Sequence, residues 1–164
     1  IYNIPSRCVI DMSVDTMARL FELKNIVGVK DATGDPNRID ATLKKLGPDF
    51  IQLTGEDGFA LEFNRRGGVG IISVTANIAP KLCSDFQKYS KSKTDNEIKE
   101  AERIDQILQP VHKSLFIESN PAPVKYAAKL LGLCGDEIRL PLVKIKKETE
   151  DQVKKALSSA NLLS

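Results

Sequence analysis

Four short apolar segments, Ile1 to Ile4, Ile26 to Lys30, Phe50 to Thr54 and Gly70 to Val74, recur about every 20–25 residues with helical patterns between them. They are rich in Ile and Val and bounded by turn residues, as buried strands are. Ser13 stands where an N-cap belongs, and Val14, Met17, Ala18 and Phe21 follow it on one face. Asp35-Pro36 gives a cap with proline at the first helical position. Ile39, Leu43 and Leu46 continue that face until Gly47-Pro48 stops it. A shorter helix is expected from Phe59 to Arg66, ended by Gly67-Gly68. Pro80 opens a fourth, with Leu82, Cys83, Phe86 and Tyr89 on its apolar side. This alternation is the rhythm of parallel α/β architecture. Units of this length fit a parallel barrel better than a doubly wound sheet, and no glycine-rich nucleotide turn follows any of the strands.

The character changes after Ser90. Ser90-Lys91-Ser92-Lys93-Thr94-Asp95 reads as a linker, and only helices are expected beyond it. Ile98, Ala101, Ile104, Ile107, Leu108 and Val111 keep a 3.6-residue period, with Pro110 expected to bend or divide the helix. A second pattern runs through Val124, Ala127, Ala128 and Leu131 and closes near Gly132; a third carries Val153, Ala156 and Leu157. The charge-dense run Lys144 to Lys155 reads as a solvated helix face with its lead-in. The expected organisation is therefore half of a barrel over residues 1–93 and a three-helix appendage over residues 94–164. A strand at the first residue, with no Met and no polar lead-in, is read as a sign that a further segment precedes Ile1.

Composition excludes several roles. With 24 Lys and Arg against 22 Asp and Glu, there is no electrostatic case for nucleic acid or an anionic membrane as partner. No run approaches the roughly 20 apolar residues of a membrane helix, and no signal peptide is visible. Cys8, Cys83 and Cys134 lie far apart without metal-ligand spacing, so reduced and mostly buried thiols of a cytosolic protein are expected. His112 is the only histidine and falls in a helix of the appendage, which leaves neither a histidine triad nor a zinc site.

In a parallel barrel the working residues gather where strands end. Lys30 ends the second strand, and alternation puts it on one face with Gly28 and Ile26, opposite Val27 and Val29. If the valines pack on helices, Lys30 points into the barrel. A dry ammonium there is costly, and a neutral amine is the form that attacks a ketone carbonyl. Gly28, one step below, is expected to leave room for a substrate. The plainer alternative is that Lys30 ends an edge strand and reaches water. Tyr2 can share the inner face and pass protons to and from such an amine, although a lone tyrosine is more often a core aromatic. Arg7, just past the first strand, has the fork to hold a carboxylate, and the alternative is a surface cation. Gly55 lets a substrate approach the backbone, and Ile72 can wall a pocket. Glu56 and Asp57, without further ligands, are a weak metal signal that a helix N-terminus explains adequately.

Five segments in order carry a resemblance: Tyr2-Asn3-Ile4-Pro5-Ser6-Arg7, Gly28-Val29-Lys30-Asp31-Ala32-Thr33-Gly34, Thr54-Gly55-Glu56-Asp57, Ser73-Val74-Thr75-Ala76-Asn77 and Asn120-Pro121-Ala122-Pro123-Val124-Lys125. Together they resemble the dihydrodipicolinate (4-hydroxy-tetrahydrodipicolinate) synthase family over essentially the whole chain. The resemblance implies an α/β fold, the C-terminal half of a (β/α)8 TIM barrel followed by a C-terminal helical domain. It implies a lyase of lysine and diaminopimelate biosynthesis, with Lys30 as the imine-forming residue and Tyr2 in a proton relay. Arg7, Gly55, Ile72 and Thr33 are implied as substrate-binding residues. The substrates would be pyruvate and aspartate semialdehyde, with no cofactor beyond the covalent imine and no metal. A cytoplasmic homotetramer is implied as well. The threonine pair that holds the pyruvate carboxylate, the relay threonine and the second tyrosine have no counterpart in this sequence. The segment alone is therefore expected to be inactive without the other half of the barrel. An N-acetylneuraminate lyase-like aldolase is the alternative within the same superfamily; a non-catalytic half-barrel interaction module is the alternative outside it.

Overall fold

A computed structural model describes residues 1–163 of the chain. Four strands form one parallel sheet in sequence order: β1 (Tyr2–Asn3), β2 (Gly28–Asp31), β3 (Ile51–Thr54) and β4 (Gly70–Ile71). All four expected strands are present, trimmed at one or both ends. Neighbouring strands are joined through α2 (Val14–Phe21), α3 (Pro36–Leu46) and α4 (Ala60–Arg65), and α1 (Pro5–Cys8) is a single turn after β1. The sequential order, with a helix in each connection, is that of consecutive units of a (β/α) barrel.

The caps lie where the residue types place them. Ser13 Oγ accepts the Thr16 amide at 3.1 Å, and Asp35 Oδ1 accepts that of Asn37 at 2.9 Å. Each such cap contributes about 1 kcal/mol. Gly47 and Gly67 follow α3 and α4 with φ of 81° and 107°, a region where a Cβ is strained. On the helix side of the sheet, Met17, Val29 and Phe50 form a buried cluster, with Phe21 edge-on to Phe50 at a 5.0 Å centroid separation.

Two departures concern β2. Val27 is 60% exposed, and Ile26 packs on the Met17–Val29–Phe50 cluster, the reverse of the expected alternation. The Ile26 amide bonds the Leu23 carbonyl in a turn, so the ladder, and with it the two-residue period, begins only at Gly28.

The chain divides into two compact units, residues 1–73 and 74–164. This division falls earlier than the 93/94 boundary read from the sequence, because α5 (Pro80–Ser90) packs on α6 (Asp95–Ser114). In the second unit α6, α7 (Ala122–Leu130) and α8 (Lys147–Ser159) enclose a core that includes Val111, Leu115, Ala127, Val153 and Leu157. The helix α6 runs unbroken through Pro110 and is not divided there. Gly132, at φ 70°, follows α7. His112 is buried, with its Nδ1 2.7 Å from the Thr75 hydroxyl, a structural placement. The cysteines differ from expectation: Cys83 is buried, but Cys8 and Cys134 are exposed, because α1 and the stretch after α7 are surface segments. No helix among the described residues is long and apolar enough to cross a membrane.

Candidate active site

The parallel register aligns residues across the sheet in rungs. One rung is Tyr2, Lys30, Leu53 and Gly70; the next is Asn3, Asp31, Thr54 and Ile71. Side chains alternate between faces, so the two rungs present opposite sides. Val29, two residues before Asp31, is buried among the helices, which identifies the Asp31 rung as the helix side. Lys30, Tyr2 and Leu53 therefore stand on the other face, together with Gly55 and Ile72 one step beyond.

On that face Lys30 Nζ lies 3.9 Å from the centroid of the Tyr2 ring. This is a cation–π arrangement, with the nitrogen on the ring and not at the phenol oxygen. A proton passes directly between the two groups only after one side chain changes rotamer. Tyr2 is 51% exposed. The stem of Lys30 runs over Gly55: a Cβ on that glycine would stand 3.0 Å from Lys30 Cε and 2.9 Å from Ala32 Cβ. Gly55 leaves room for the lysine stem. Gly28 leaves no room for a substrate, contrary to expectation, since a Cβ there would overlap the Ile51 carbonyl of the adjoining strand.

Ile72 is half exposed where the sheet ends, its amide bonded to the Thr54 carbonyl at 3.0 Å. Arg7 lies exposed in α1. The Thr33 amide and hydroxyl both bond Asp31 Oδ1, so Thr33 belongs to the turn after β2. The structure thus brings Tyr2, Lys30 and Gly55 together and places Ile72 on the same face, while Thr33 is engaged with the helix-side carboxylate.

Three features go beyond the sequence reading. Leu53 is the β3 neighbour of Lys30, and strand parity alone would have named it. Glu56 holds its proton above the ordinary carboxylate range, chiefly because it is partly buried, then because Asp57 and Asp31 are near; Lys30 opposes this. Asp57 is buried and accepts a hydrogen bond from the Ser73 hydroxyl. The third is a polar network behind the sheet. Asn3 Nδ2 donates to Asp31 Oδ2 at 3.0 Å and to Asp11 Oδ1 at 2.8 Å, and Asn3 Oδ1 accepts the Met12 amide at 3.0 Å. Arg38 Nε donates to Asp31 at 3.1 Å, Nη1 to Asp11 at 3.2 Å and Nη2 to the Met12 carbonyl at 2.6 Å. Nothing local in the sequence signals it, because the partners lie up to 28 residues apart.

A lysine on a strand of a sequential parallel sheet, on the face away from the helices and beside a tyrosine, defines a (β/α)-barrel protein with an amine at its sheet face. The chain belongs to the dihydrodipicolinate synthetase family, whose model matches residues 1–160. Its curated relatives include 4-hydroxy-tetrahydrodipicolinate synthases of Pelagibacter ubique, 73% identical over 99% of this chain, and of Parvibaculum lavamentivorans, 53% identical over 99%. The chain spans 56% and 55% of their lengths. Dihydrodipicolinate synthase from Aquifex aeolicus superposes with a TM-score of 0.92 at 39% identity, over 99% of this chain and 55% of that one. The chloride-inhibited enzyme from Acinetobacter baumannii, complexed with pyruvate, does so with a TM-score of 0.92 at 40% identity, over the same shares. These neighbours are TIM barrels, and the chain corresponds to about half of each.

Proposed function

We propose that this chain carries the imine-forming part of a 4-hydroxy-tetrahydrodipicolinate synthase. The observation that carries the reading is Lys30, set on the sheet face away from the helices with its nitrogen on the Tyr2 ring and its stem over Gly55. The amine of Lys30 adds to the ketone carbon of pyruvate, and loss of water gives the imine. Removal of a methyl proton makes the enamine, whose carbon attacks the aldehyde of aspartate semialdehyde. The amino group of the adduct then displaces Lys30 from the imine carbon, closing the ring and freeing the enzyme. One water is released overall. Tyr2 serves as the proton carrier at the dehydration step once its hydroxyl turns to the nitrogen. Arg7 takes the semialdehyde carboxylate, and Gly55, Ile72 and Thr33 border the bound substrates. The carbonyl chemistry runs on the amine, so this reading calls for no metal or further cofactor. It also makes the working enzyme a cytoplasmic homotetramer that contains the other barrel half.

The test joins this chain behind the upstream part of the Pelagibacter ubique relative. Pyruvate with borohydride is expected to add a reduced adduct to Lys30, and Lys30→Arg to abolish it. The hybrid is expected to consume aspartate semialdehyde together with pyruvate. Cleavage of sialic acid in place of that condensation, or an adduct that persists in Lys30→Arg, would overturn the proposal.

A further inference from the structure

The β1–β2 ladder consists of two residue pairs, Tyr2 with Lys30 and Asn3 with Asp31. The backbone bonds that flank it are Ile1 N–H to Gly28 O at 3.0 Å and Lys30 N–H to Ile1 O and Ala32 N–H to Asn3 O, both at 2.9 Å. So short a ladder specifies its register weakly. A slip of one residue would turn β1 over, sending Tyr2 to the helix side and Asn3 to the side of Lys30. Side chains on the helix side select the register: Ile1 packs on the Met17–Val29–Phe50 cluster, and Asn3 adds a polar lock.

That lock is a closed ring of hydrogen bonds behind the sheet. Asn3 is 3% exposed, and the Arg38 and Asp31 side chains are 15% and 13% exposed, so the bonds of Asp31 to Asn3 and Arg38 are sheltered from competing water, while the Asp11 side chain is half-exposed. The Asn3 amide spans Asp31 and Asp11, its carbonyl takes the Met12 amide, and the Arg38 fork returns to Asp31, Asp11 and Met12. Each donor and acceptor of the ring is met only when Asn3 lies opposite Asp31. In the slipped register Asn3 leaves the ring, and two carboxylates and the Met12 amide lose a shared partner. The pair Asn3–Asp31 on one side and the pair Tyr2–Lys30 on the other are consecutive rungs of one ladder, so fixing one fixes the other.

We infer that Asn3, Asp31 and Arg38 form a register clamp that holds Tyr2 beside Lys30, acting as positioning residues for the amine. The catalytic consequence rests on the function proposed above; the register does not, and the experiment separates them. Reductive methylation of the hybrid protein with 13C-formaldehyde gives each lysine a dimethylammonium signal, assigned for Lys30 by Lys30→Arg. Because Nζ sits on the ring face, the Lys30 methyl protons are expected upfield of those of the other lysines. Tyr2→Leu is expected to remove that displacement. Asn3→Ala and Arg38→Gln are expected to remove it as well, with circular dichroism unchanged, whereas Arg38→Lys keeps a cation and retains part of it. Should Asn3→Ala fail to fold, Asn3→Ser gives the milder test. In the hybrid protein the same variants are expected to lower kcat by about 10²-fold while KM for pyruvate moves less than about threefold. Absence of the upfield signal in the parent, its persistence in folded variants, or an unchanged kcat overturns the clamp. A hybrid that never traps pyruvate, with the signal still clamp-dependent, overturns the function alone.

Discussion

Gly55 shows how a residue without a side chain can position one with reach. The space that its Cβ would need is taken by Lys30 Cε and Ala32 Cβ at 3.0 and 2.9 Å. Both neighbours are too close for an ordinary contact, and Ala32 cannot rotate away. Gly55→Ala therefore pushes the lysine stem off its path, at an overpacking cost of about 1–3 kcal/mol. The expected outcome in the hybrid protein is an imine-trapping rate lowered by about 10²-fold, since a displacement of the order of 1 Å has that effect. A rate unchanged in a folded Gly55→Ala protein, measured by quenched-flow borohydride trapping, removes Gly55 from the site. Gly55 and Gly28 look alike in the sequence, each a glycine near a strand end. Only the register with β3 shows that one lies beside the lysine stem and the other under the Ile51 carbonyl. Single residues with local signals, such as the caps Ser13 and Asp35, were legible. Those whose meaning depends on a neighbour strand were not.

At the scale of elements, a helix starts where its free amides find partners, and those partners need not be local. Helix α8 opens with Lys146 at the cap position, which offers no side-chain acceptor of its own. Glu118, 28 residues earlier, accepts the Lys146 amide at 2.8 Å. Its carboxyl is held below the usual glutamate range, first by the Thr149 side chain and then by that amide. A carboxyl whose pKa is lowered by folding contributes stability above its unfolded value, about 4.3, and the contribution fades as pH falls through the folded value. Glu118→Gln is therefore expected to lower the thermal midpoint by a few degrees at pH 7. The gap should close as the pH is taken down through the lowered folded value, where the parent carboxyl itself becomes neutral. A gap of constant size across that titration, read by differential scanning calorimetry, would show that the charge on Glu118 does not hold the helix. The 3.6-residue period through Val153, Ala156 and Leu157 announced α8, but the acceptor at its start belongs to a distant segment. Pro110 is the converse case: a local breaker signal was overridden by the packing of Ile104, Leu108 and Val111 in one continuous helix.

For the molecule as a whole, four parallel strands in sequence order leave β1 and β4 as edges, each with unpaired backbone groups. The apolar side chains of the sheet and its lead-ins are exposed with them: Val27 at 60%, Ile51 at 43%, Val69 at 47% and Ile72 at 51%. Barrels remove such edges by closing, and the family's solved barrels are nearly twice the length of this chain. The alternation of strands and helices made this architecture readable from sequence, since the period of the pattern and the order of the strands are properties of the chain itself. The state of the opposite sheet face is not, because it depends on what closes over it. The 164-residue chain alone is therefore expected to self-associate with rising concentration and to leave Lys30 unlabelled by pyruvate and borohydride. Supplying the upstream part of the Pelagibacter ubique enzyme as a separate polypeptide should cover both edges, disperse the aggregate in sedimentation velocity and restore labelling of Lys30 alone among the lysines. Efficient labelling of the unaccompanied chain would mean that four strands suffice to shelter the amine, and that closure of the barrel serves the second substrate instead of the imine.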